Sequence, residues 1–232
     1  MTVPSRATAK LGTSHAAAIF VPFALFAALA SSAVSGAGIG WDGEFLRELH
    51  EQASPLLDRT MLTVSDLGGF DALSPIAVGV LALLSFHRRW RDALFLAAAT
   101  FAVPALNPLL KLLFERPRPA LWPRLESAHG YSFPSGHAMS SAAIIAALIV
   151  LAWPTRWRWP TLLLGGGFVL AVGASRLYLG VHYPSDVLGG WAIALAAIAF
   201  LQVLRSSGND DGAAGVSRQR SSPRRASSPV PP

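Results

Sequence analysis

The chain has 232 residues, of which 52% are hydrophobic and only 14% are charged, whereas soluble domains carry about 25% charged residues. The net charge of +6 does not indicate a nucleic-acid partner, because the cations lie mainly between apolar segments and in the tails, as the positive-inside rule predicts. The chain contains no cysteine, which excludes disulfides and thiolate metal sites.

Six apolar segments follow one another, each near the roughly 20 residues needed to cross a bilayer. The first resembles a signal peptide in its basic start and small-residue end. However, residues 11–41 carry no Asp, Glu, Lys or Arg, which exceeds the about 7–15 apolar residues of a signal peptide and favours an uncleaved span. We expect Pro104 and Pro108 to kink the third segment. The predicted spans are residues 15–38, 67–86, 92–114, 135–153, 160–176 and 184–204.

This pattern predicts an all-α, polytopic membrane bundle of about six helices over residues 15–204. Arginines in two connections, at residues 88–91 and 156–158, lie on the same side as the basic tails, so this side and both termini are expected to be cytoplasmic. We expect a short cytoplasmic tail at residues 1–14. Residues 205–232 are rich in Ser, Gly, Pro and Arg and predict a disordered basic tail.

Three polar clusters lie at the span ends predicted to face outward, at residues 111–119, 134–137 and 175–186. Lys111, Arg118 and Arg176 stand beside or within apolar runs, where a charge is costly. If they converged, like charges about 4 Å apart would repel by about 4 kcal/mol per pair, and a bound anion would reverse that sign. They therefore predict a phosphate site, although cations that snorkel at helix ends would give the same local pattern.

The second cluster places Ser135 where a helix N-cap belongs, followed by an Ala-rich helical run. The free N–H groups of such a helix end can bind an anion, and Gly136 would allow a close approach of phosphate. His137 stands where it could protonate a leaving oxygen. The alternatives are a plain cap and an interfacial histidine.

In the third cluster, Pro184 suits the first turn of a helix and Asp186 suits the positive end of the helix dipole. The functional alternative is that Asp186 binds one ring nitrogen of His182. Asp186 would then fix the tautomer and leave the other nitrogen as a nucleophile.

Together and in this order, the clusters resemble the signature of the type 2 phosphatidic acid phosphatase superfamily, Lys-x6-Arg-Pro, Pro-Ser-Gly-His and Ser-Arg-x5-His-x3-Asp. The resemblance implies a helical core like that of acid phosphatases and vanadium haloperoxidases, with no metal or other cofactor. It implies that His182 attacks phosphorus to form a phosphohistidine, that Asp186 orients it, and that His137 acts as the general acid. The implied phosphate-binding residues are Lys111, Arg118, Ser135, Gly136 and Arg176.

The implied function is hydrolysis of a lipid phosphate or diphosphate at the outer face of the cell membrane. Phosphatidic acid, phosphatidylglycerol phosphate and an isoprenoid diphosphate such as undecaprenyl diphosphate all remain open as substrates, and the oligomeric state is unknown. The alternatives are a lipid phosphotransferase, a haloperoxidase, and a non-catalytic membrane protein or transporter that retains the pocket. Outside the signature we expect Arg116 to be a solvated surface residue, with contact to a lipid headgroup or a second phosphate as the alternative. We assign no role to Arg124, Glu126 or His129.

Overall fold

The computed structural model describes residues 6–34 and 40–220, with side chains described at residues 15–34 and 40–206. Within these residues the chain is helical and contains no strand, which confirms the predicted all-α class. A π-helical segment, Ala98–Ala102, joins α5 to α6. The helices are α1 (Arg6–Val34), α2 (Asp42–His50), α3 (Pro55–Gly68), α4 (Phe70–Phe86), α5 (Trp90–Ala97), α6 (Val103–Phe114), α7 (Gly136–Ala152), α8 (Arg158–Tyr178) and α9 (Pro184–Arg220).

Four helical stretches in the described part of the chain are long and apolar enough to cross a membrane, namely His15–Val34, Trp90–Phe114, Arg158–Tyr178 and Pro184–Ser206. They correspond to the first, third, fifth and sixth predicted spans, although residues 35–38 of the first lie outside the described residues. Helix α7 corresponds to the fourth, but has only 17 residues, the lower limit for a span. The number six therefore stays a prediction.

The second predicted span, residues 67–86, does not form one straight helix. Helices α3 and α4 meet at Gly69 with a bend of 44°, and together they could form a fifth span. Gly69 adopts an extended conformation, with φ −68° and ψ 155°, which ends α3 and starts α4. The bend brings this elbow next to His137, because a Cβ at Gly69 would lie 3.4 Å from the His137 Nε2 atom.

The third span stays continuous through its two prolines. The π-helical segment Ala98–Ala102 comes directly before Val103 and Pro104, where the missing proline N–H leaves a carbonyl without its usual helical partner. Helix α6 then ends at Glu115, whose left-handed backbone, with φ 46°, turns the chain into the loop that carries Arg116 and Arg118.

Helix α7 forms the centre of the bundle and packs against α8 and α9, while α1 packs against α9. Small residues permit these close contacts: a Cβ at Gly173 would lie 2.3 Å from the Trp191 ring, and one at Gly165 would lie 2.7 Å from Ile145. Large apolar side chains such as Phe20, Leu164 and Phe200 remain exposed on the outside, as expected for surfaces that face lipid.

The first and last helices extend into the two predicted tails. Helix α1 begins at Arg6, inside the predicted N-terminal tail. Helix α9 continues past residue 205 to Arg220, since no proline interrupts the chain between Pro184 and Pro223. Residues 1–5 and 221–232 lie outside the described residues.

Candidate active site

His182 lies in the short connection between α8 and α9 and is only 2% exposed. Its Nδ1 atom is 3.4 Å from the Oδ2 atom of Asp186, which lies four residues along the chain. Its Nε2 atom is 3.2 Å from Arg118 Nη1. An imidazole that donates from Nδ1 to the carboxylate keeps the Nε2 lone pair, which is the arrangement that a nitrogen nucleophile requires.

The Asp186 carboxylate is completely buried and binds partners at both oxygens. Oδ2 also accepts from the backbone N–H of Tyr183 at 2.8 Å, and Oδ1 accepts from Arg116 Nη1 at 2.6 Å. The backbone carbonyl of Asp186 accepts from Ser135 N–H at 3.0 Å, which ties the start of α9 to the start of α7. The second and third sequence clusters therefore meet at this point.

Arg116 contradicts the expectation of a solvated surface residue, because it is only 5% exposed. Besides Asp186, its guanidinium donates to Ser185 Oγ at 2.7 Å and to Asp42 Oδ2 at 2.8 Å. The chain turn at Glu115 directs Arg116 into the protein, where two carboxylates offset the cost of burying the cation.

The Pro134–His137 turn is held from three sides. Ser135 is the N-cap of α7 and accepts from Ala138 N–H at 3.5 Å. Asn107 of α6 donates to the Pro134 carbonyl at 3.1 Å. Gly190 of α9 leaves no room for a side chain, since a Cβ there would lie 2.7 Å from the Ser135 carbonyl. The turn thus presents the N-terminus of α7 to the site.

Arg118 is held by backbone carbonyls of its own loop and of the connection between α8 and α9. It donates to the carbonyls of Gly130 at 3.0 Å, His129 at 3.0 Å and Val181 at 2.9 Å. These contacts leave the Nη1 edge of the guanidinium facing the His182 ring. Three backbone carbonyls therefore hold this cation beside the imidazole.

Arg176 of α8 is buried and already paired. It binds Glu126 with both Nη atoms, at 2.7 and 3.0 Å, and it also contacts the Ser65 hydroxyl of α3. Its Nε atom has no hydrogen-bond partner among the described residues. Glu126, to which the sequence assigns no role, therefore lies among the cations predicted to bind phosphate.

The remaining predicted residues share this neighbourhood. Lys111, in the last turn of α6, lies close enough to Arg118, Arg176 and Asp186 for their charges to act on it. His137, in the first turn of α7, is likewise within the electrostatic influence of Arg176, Glu126, His182 and Lys111. The structure therefore brings all three sequence clusters to one end of the bundle.

A cavity of about 730 Å³ opens beside His137. Its floor is the start of α7 with Gly136 and Ser140, and its walls are the π-helical segment, α6 and the elbow at Gly69. The elbow contributes two exposed carboxylates, Asp66 and Asp71. The cavity therefore has an apolar wall and an acidic rim, and it lies on the His137 side of the site.

Burial sets the protonation of the loop residues. Burial lowers the pKa of His182 from 6.5 to about 4, and the Asp186 carboxylate only partly opposes this effect, so the imidazole is neutral at physiological pH. Burial and the neighbouring Arg176 lower the pKa of Arg118. Burial alone would lower the pKa of Arg116, but Asp186 and Asp42 outweigh it and raise that pKa.

The PAP2 superfamily model matches residues 92–207, which include every residue of the three clusters and half of the chain. The chain belongs to the PAP2 superfamily. This PAP2 protein is 34% identical over 146 residues to phosphatidylglycerophosphatase B of Bacillus subtilis, covering 61% of this chain and 71% of the relative. It is 28% identical over 173 residues to an undecaprenyl-diphosphatase of Sulfolobus acidocaldarius, covering 71% and 78%.

Among solved structures, it resembles the crystal structure of the transmembrane PAP2-type phosphatidylglycerolphosphate phosphatase of Bacillus subtilis. The TM-score is 0.75 at 27% sequence identity, with 82% of this chain and 97% of the other covered. Together these similarities and the apolar helices identify the PAP2 protein as an integral membrane protein and a lipid phosphatase.

Several polar residues of the PAP2 site are absent from the sequence motifs. Asp42 and Ser65 come from helices ahead of the motifs, Asn107 supports the Pro134–His137 turn, and Arg116 and Glu126 bind charged partners in the site. The Arg116–Asp42 and Arg176–Glu126 contacts join residues 74 and 50 positions apart, so no local spacing rule could have paired them. Arg124 donates to the Pro119 carbonyl, and His129 contributes a carbonyl to Arg118.

Proposed function

We propose that this PAP2 lipid phosphatase cleaves a lipid phosphate or diphosphate through a phosphohistidine on His182, without a metal ion. The observation that carries the proposal is the position of the His182 ring between the Asp186 carboxylate at Nδ1 and the Arg118 guanidinium at Nε2. This arrangement supports Nε2 as the attacking atom and places a cation where the phosphoryl oxygens would lie.

The proposed reaction has two steps. In the first, the Nε2 lone pair forms a bond to phosphorus, the bond to the leaving oxygen breaks, and His137, protonated in the substrate complex, gives that oxygen its proton. In the second, water attacks the phosphohistidine, its proton passes to His137, and the nitrogen–phosphorus bond breaks to release phosphate. The second step returns both histidines to their starting states.

Lys111, Arg118 and Arg176 are the proposed counter-charges for the phosphoryl oxygens, together with the N–H groups at the start of α7 near Ser135 and Gly136. A phosphoryl transition state spreads negative charge over three equatorial oxygens, and catalysis depends mainly on positioning and on neutralising that charge. Guanidinium groups and a helix N-terminus supply positive potential without a bound metal. The cavity beside His137 is the proposed site of the leaving group.

The active site is proposed to face the outside of the cell membrane, with both termini in the cytoplasm. The support is the arginine-rich connections, Arg88–Arg91 and Arg156–Arg158, at the end of the bundle opposite the site. Reporter fusions after Arg91 and after Arg158 are expected to report cytoplasm, and a fusion within residues 118–133 is expected to report the outside. The reverse pattern would overturn this orientation.

Phosphate release by the purified protein in detergent tests the proposal. The panel is phosphatidic acid, phosphatidylglycerol phosphate and an isoprenoid diphosphate, each with and without EDTA. We expect release in EDTA, inhibition by vanadate, and an acid-labile phosphoenzyme that the His182→Ala variant does not form. Activity that disappears in EDTA and returns with Mg²⁺, or a His182→Ala protein with near-parental turnover, would refute the mechanism.

A further inference from the structure

Arg116 connects the N-terminal part of the chain to the proposed nucleophile. Its Nη2 atom donates to Asp42 at the start of α2, and its Nη1 atom donates to Asp186 at the start of α9. The guanidinium carbon also lies 4.3 Å from the centre of the Tyr183 ring. Asp42 in turn accepts from the backbone N–H of Ser185 at 3.1 Å, so it holds both Arg116 and the first turn of α9.

We propose that Arg116, held by Asp42, is a positioning residue that fixes the Asp186 carboxylate in the orientation that aligns His182 for attack. This inference rests on the proposed function, because it assigns a role to Arg116 in that same reaction.

The two oxygens of Asp186 have different partners. A carboxylate that is held at only one oxygen can rotate about its side-chain bond and can exchange the oxygen that it offers to a histidine. Here Oδ2 receives the Tyr183 N–H and the His182 ring, and Oδ1 receives the Arg116 guanidinium. Of the two side-chain contacts, the one at Oδ1 is the shorter, 2.6 against 3.4 Å, so Arg116 is the firmer restraint on the carboxylate.

Arg116 does not act on the substrate itself. Both of its terminal nitrogens already donate to carboxylates, and the Tyr183 ring covers one face of the guanidinium. Loss of Arg116 should therefore reduce kcat and leave KM and the inhibition constant of inorganic phosphate almost unchanged. Loss of a residue that binds the phosphoryl group would raise both constants.

The charge of Arg116 also predicts a change in the pH profile. The charged and titratable groups that face His182 are Asp186 of α9, Arg118 of the loop, Arg176 of α8 and His137 of α7. The positive charge of Arg116 partly neutralises the negative charge of Asp186. Without Arg116 that charge acts more fully on His182 and favours its protonated form, so the acidic limb of the pH profile should move to higher pH. Without Asp42, Arg116 stays and its charge is less compensated, so the limb should not move upward.

The experiment compares Arg116→Gln, Arg116→Lys and Asp42→Asn with the parent enzyme in detergent micelles, using the lipid of the panel above that the parent hydrolyses fastest. We expect Arg116→Gln to lower kcat by about 10–100-fold, the range typical when a hydrogen-bonding partner that orients a side chain of the site is removed. Asp42→Asn should lower kcat by a smaller factor. Arg116→Lys keeps the charge but cannot hold two carboxylates with a planar fork, so kcat should fall while the acidic limb stays in place.

Matched controls are Arg59→Gln, an exposed arginine of α3, and Glu44→Gln, an exposed carboxylate in the first turn of α2. Both should behave as the parent. Gel filtration and thermal unfolding in detergent give the folded fraction, so that kcat is expressed per folded molecule. If Arg116→Gln does not fold, Arg116→Lys and Asp42→Asn carry the test.

A parental kcat in Arg116→Gln, or in Arg116→Lys if the first variant does not fold, overturns the proposal. The proposal also fails if KM rises while kcat is kept, or if Arg116→Gln and Asp42→Asn both leave kcat per folded molecule unchanged and reduce only the unfolding temperature. A parent enzyme that releases no phosphate from any lipid refutes the proposed function instead. An active parent with unaffected variants refutes only the role of Arg116.

Discussion

Glu126 and Arg176 form a bidentate ion pair within the cluster of cations, with Oε2 and Oε1 accepting from the two Nη atoms at 2.7 and 3.0 Å. Burial alone would raise the pKa of Glu126, but the hydrogen bond and charge of Arg176 lower it, so the carboxylate is ionised at neutral pH. Guanidinium binds carboxylate and phosphate with the same planar fork. An anion that reaches Arg176 must therefore share this donor with Glu126 or displace it.

We predict that Glu126→Gln tightens the binding of anions. The variant removes the negative charge that competes for Arg176, so the inhibition constant of vanadate should fall by about tenfold, equivalent to about 1.4 kcal/mol. Inhibition of phosphate release by vanadate gives the measurement, and Glu48→Gln on the exposed face of α2 is the control. Weaker inhibition in Glu126→Gln would indicate instead that Glu126 holds Arg176 in its working position.

We predict an acidic limb near pH 4 in the pH profile of kcat/KM. The pKa of His182 is lowered from 6.5 to about 4. The imidazole is therefore neutral and nucleophilic above that pH, whereas below it the ring is protonated and can no longer attack phosphorus. Initial rates with two substrates whose own phosphate pKa values differ separate the enzyme limb from the substrate limb. A substrate-independent limb at pH 6.5 would contradict a buried, neutral nucleophile.

We predict that the effect of His137→Ala depends on the leaving group. A general acid contributes about 10²–10⁴-fold when the leaving oxygen is a poor one, and much less when it is a good one. The variant should lose most of its activity on an alkyl phosphate such as phosphatidic acid and far less on p-nitrophenyl phosphate. Single-turnover rates of phosphoenzyme formation test this directly. An equal loss of activity on both substrates would contradict the assignment of His137 as the general acid.

We predict that the acidic rim of the cavity disfavours a second phosphate. Asp66 and Asp71 line the cavity beside His137, where the leaving group is proposed to lie. The leaving group of a diphosphate carries negative charge, whereas the diacylglycerol of phosphatidic acid is neutral. The parent should therefore have the higher kcat/KM on phosphatidic acid.

Charge repulsion across about 8 Å at an effective dielectric near 20 amounts to about 2 kcal/mol, which exposure of the carboxylates reduces. The double variant Asp66→Asn/Asp71→Asn should accordingly narrow the preference for phosphatidic acid over an isoprenoid diphosphate by about three- to tenfold. Glu51→Gln, an exposed carboxylate just after α2, serves as the control. A parent enzyme that prefers the diphosphate, or a ratio that the double variant leaves unchanged, would show that these carboxylates do not select the leaving group.

The sequence by itself determined the class of the protein and the identity of the motif residues. The apolar segments predicted helices, because a bilayer requires backbone groups to be satisfied within each span. His182 lies just ahead of α9 and Asp186 lies in its first turn, four residues later, so their contact follows from local geometry. The capping position of Ser135 was likewise visible, because a helix N-cap is decided by a few consecutive residues.

Only the tertiary structure revealed the features that depend on contacts between residues far apart in the sequence. The bend at Gly69 interrupts a segment that hydropathy presents as one span, because a single extended residue leaves the apolar composition unchanged. Arg116 is as hydrophilic as any surface arginine, and only the convergence of Asp42 and Asp186 from distant helices makes its burial favourable. The role of Glu126 could not be predicted from the sequence for the same reason. No sequence periodicity indicates an ion pair between residues 50 positions apart, and only the folded loop brings Glu126 to Arg176.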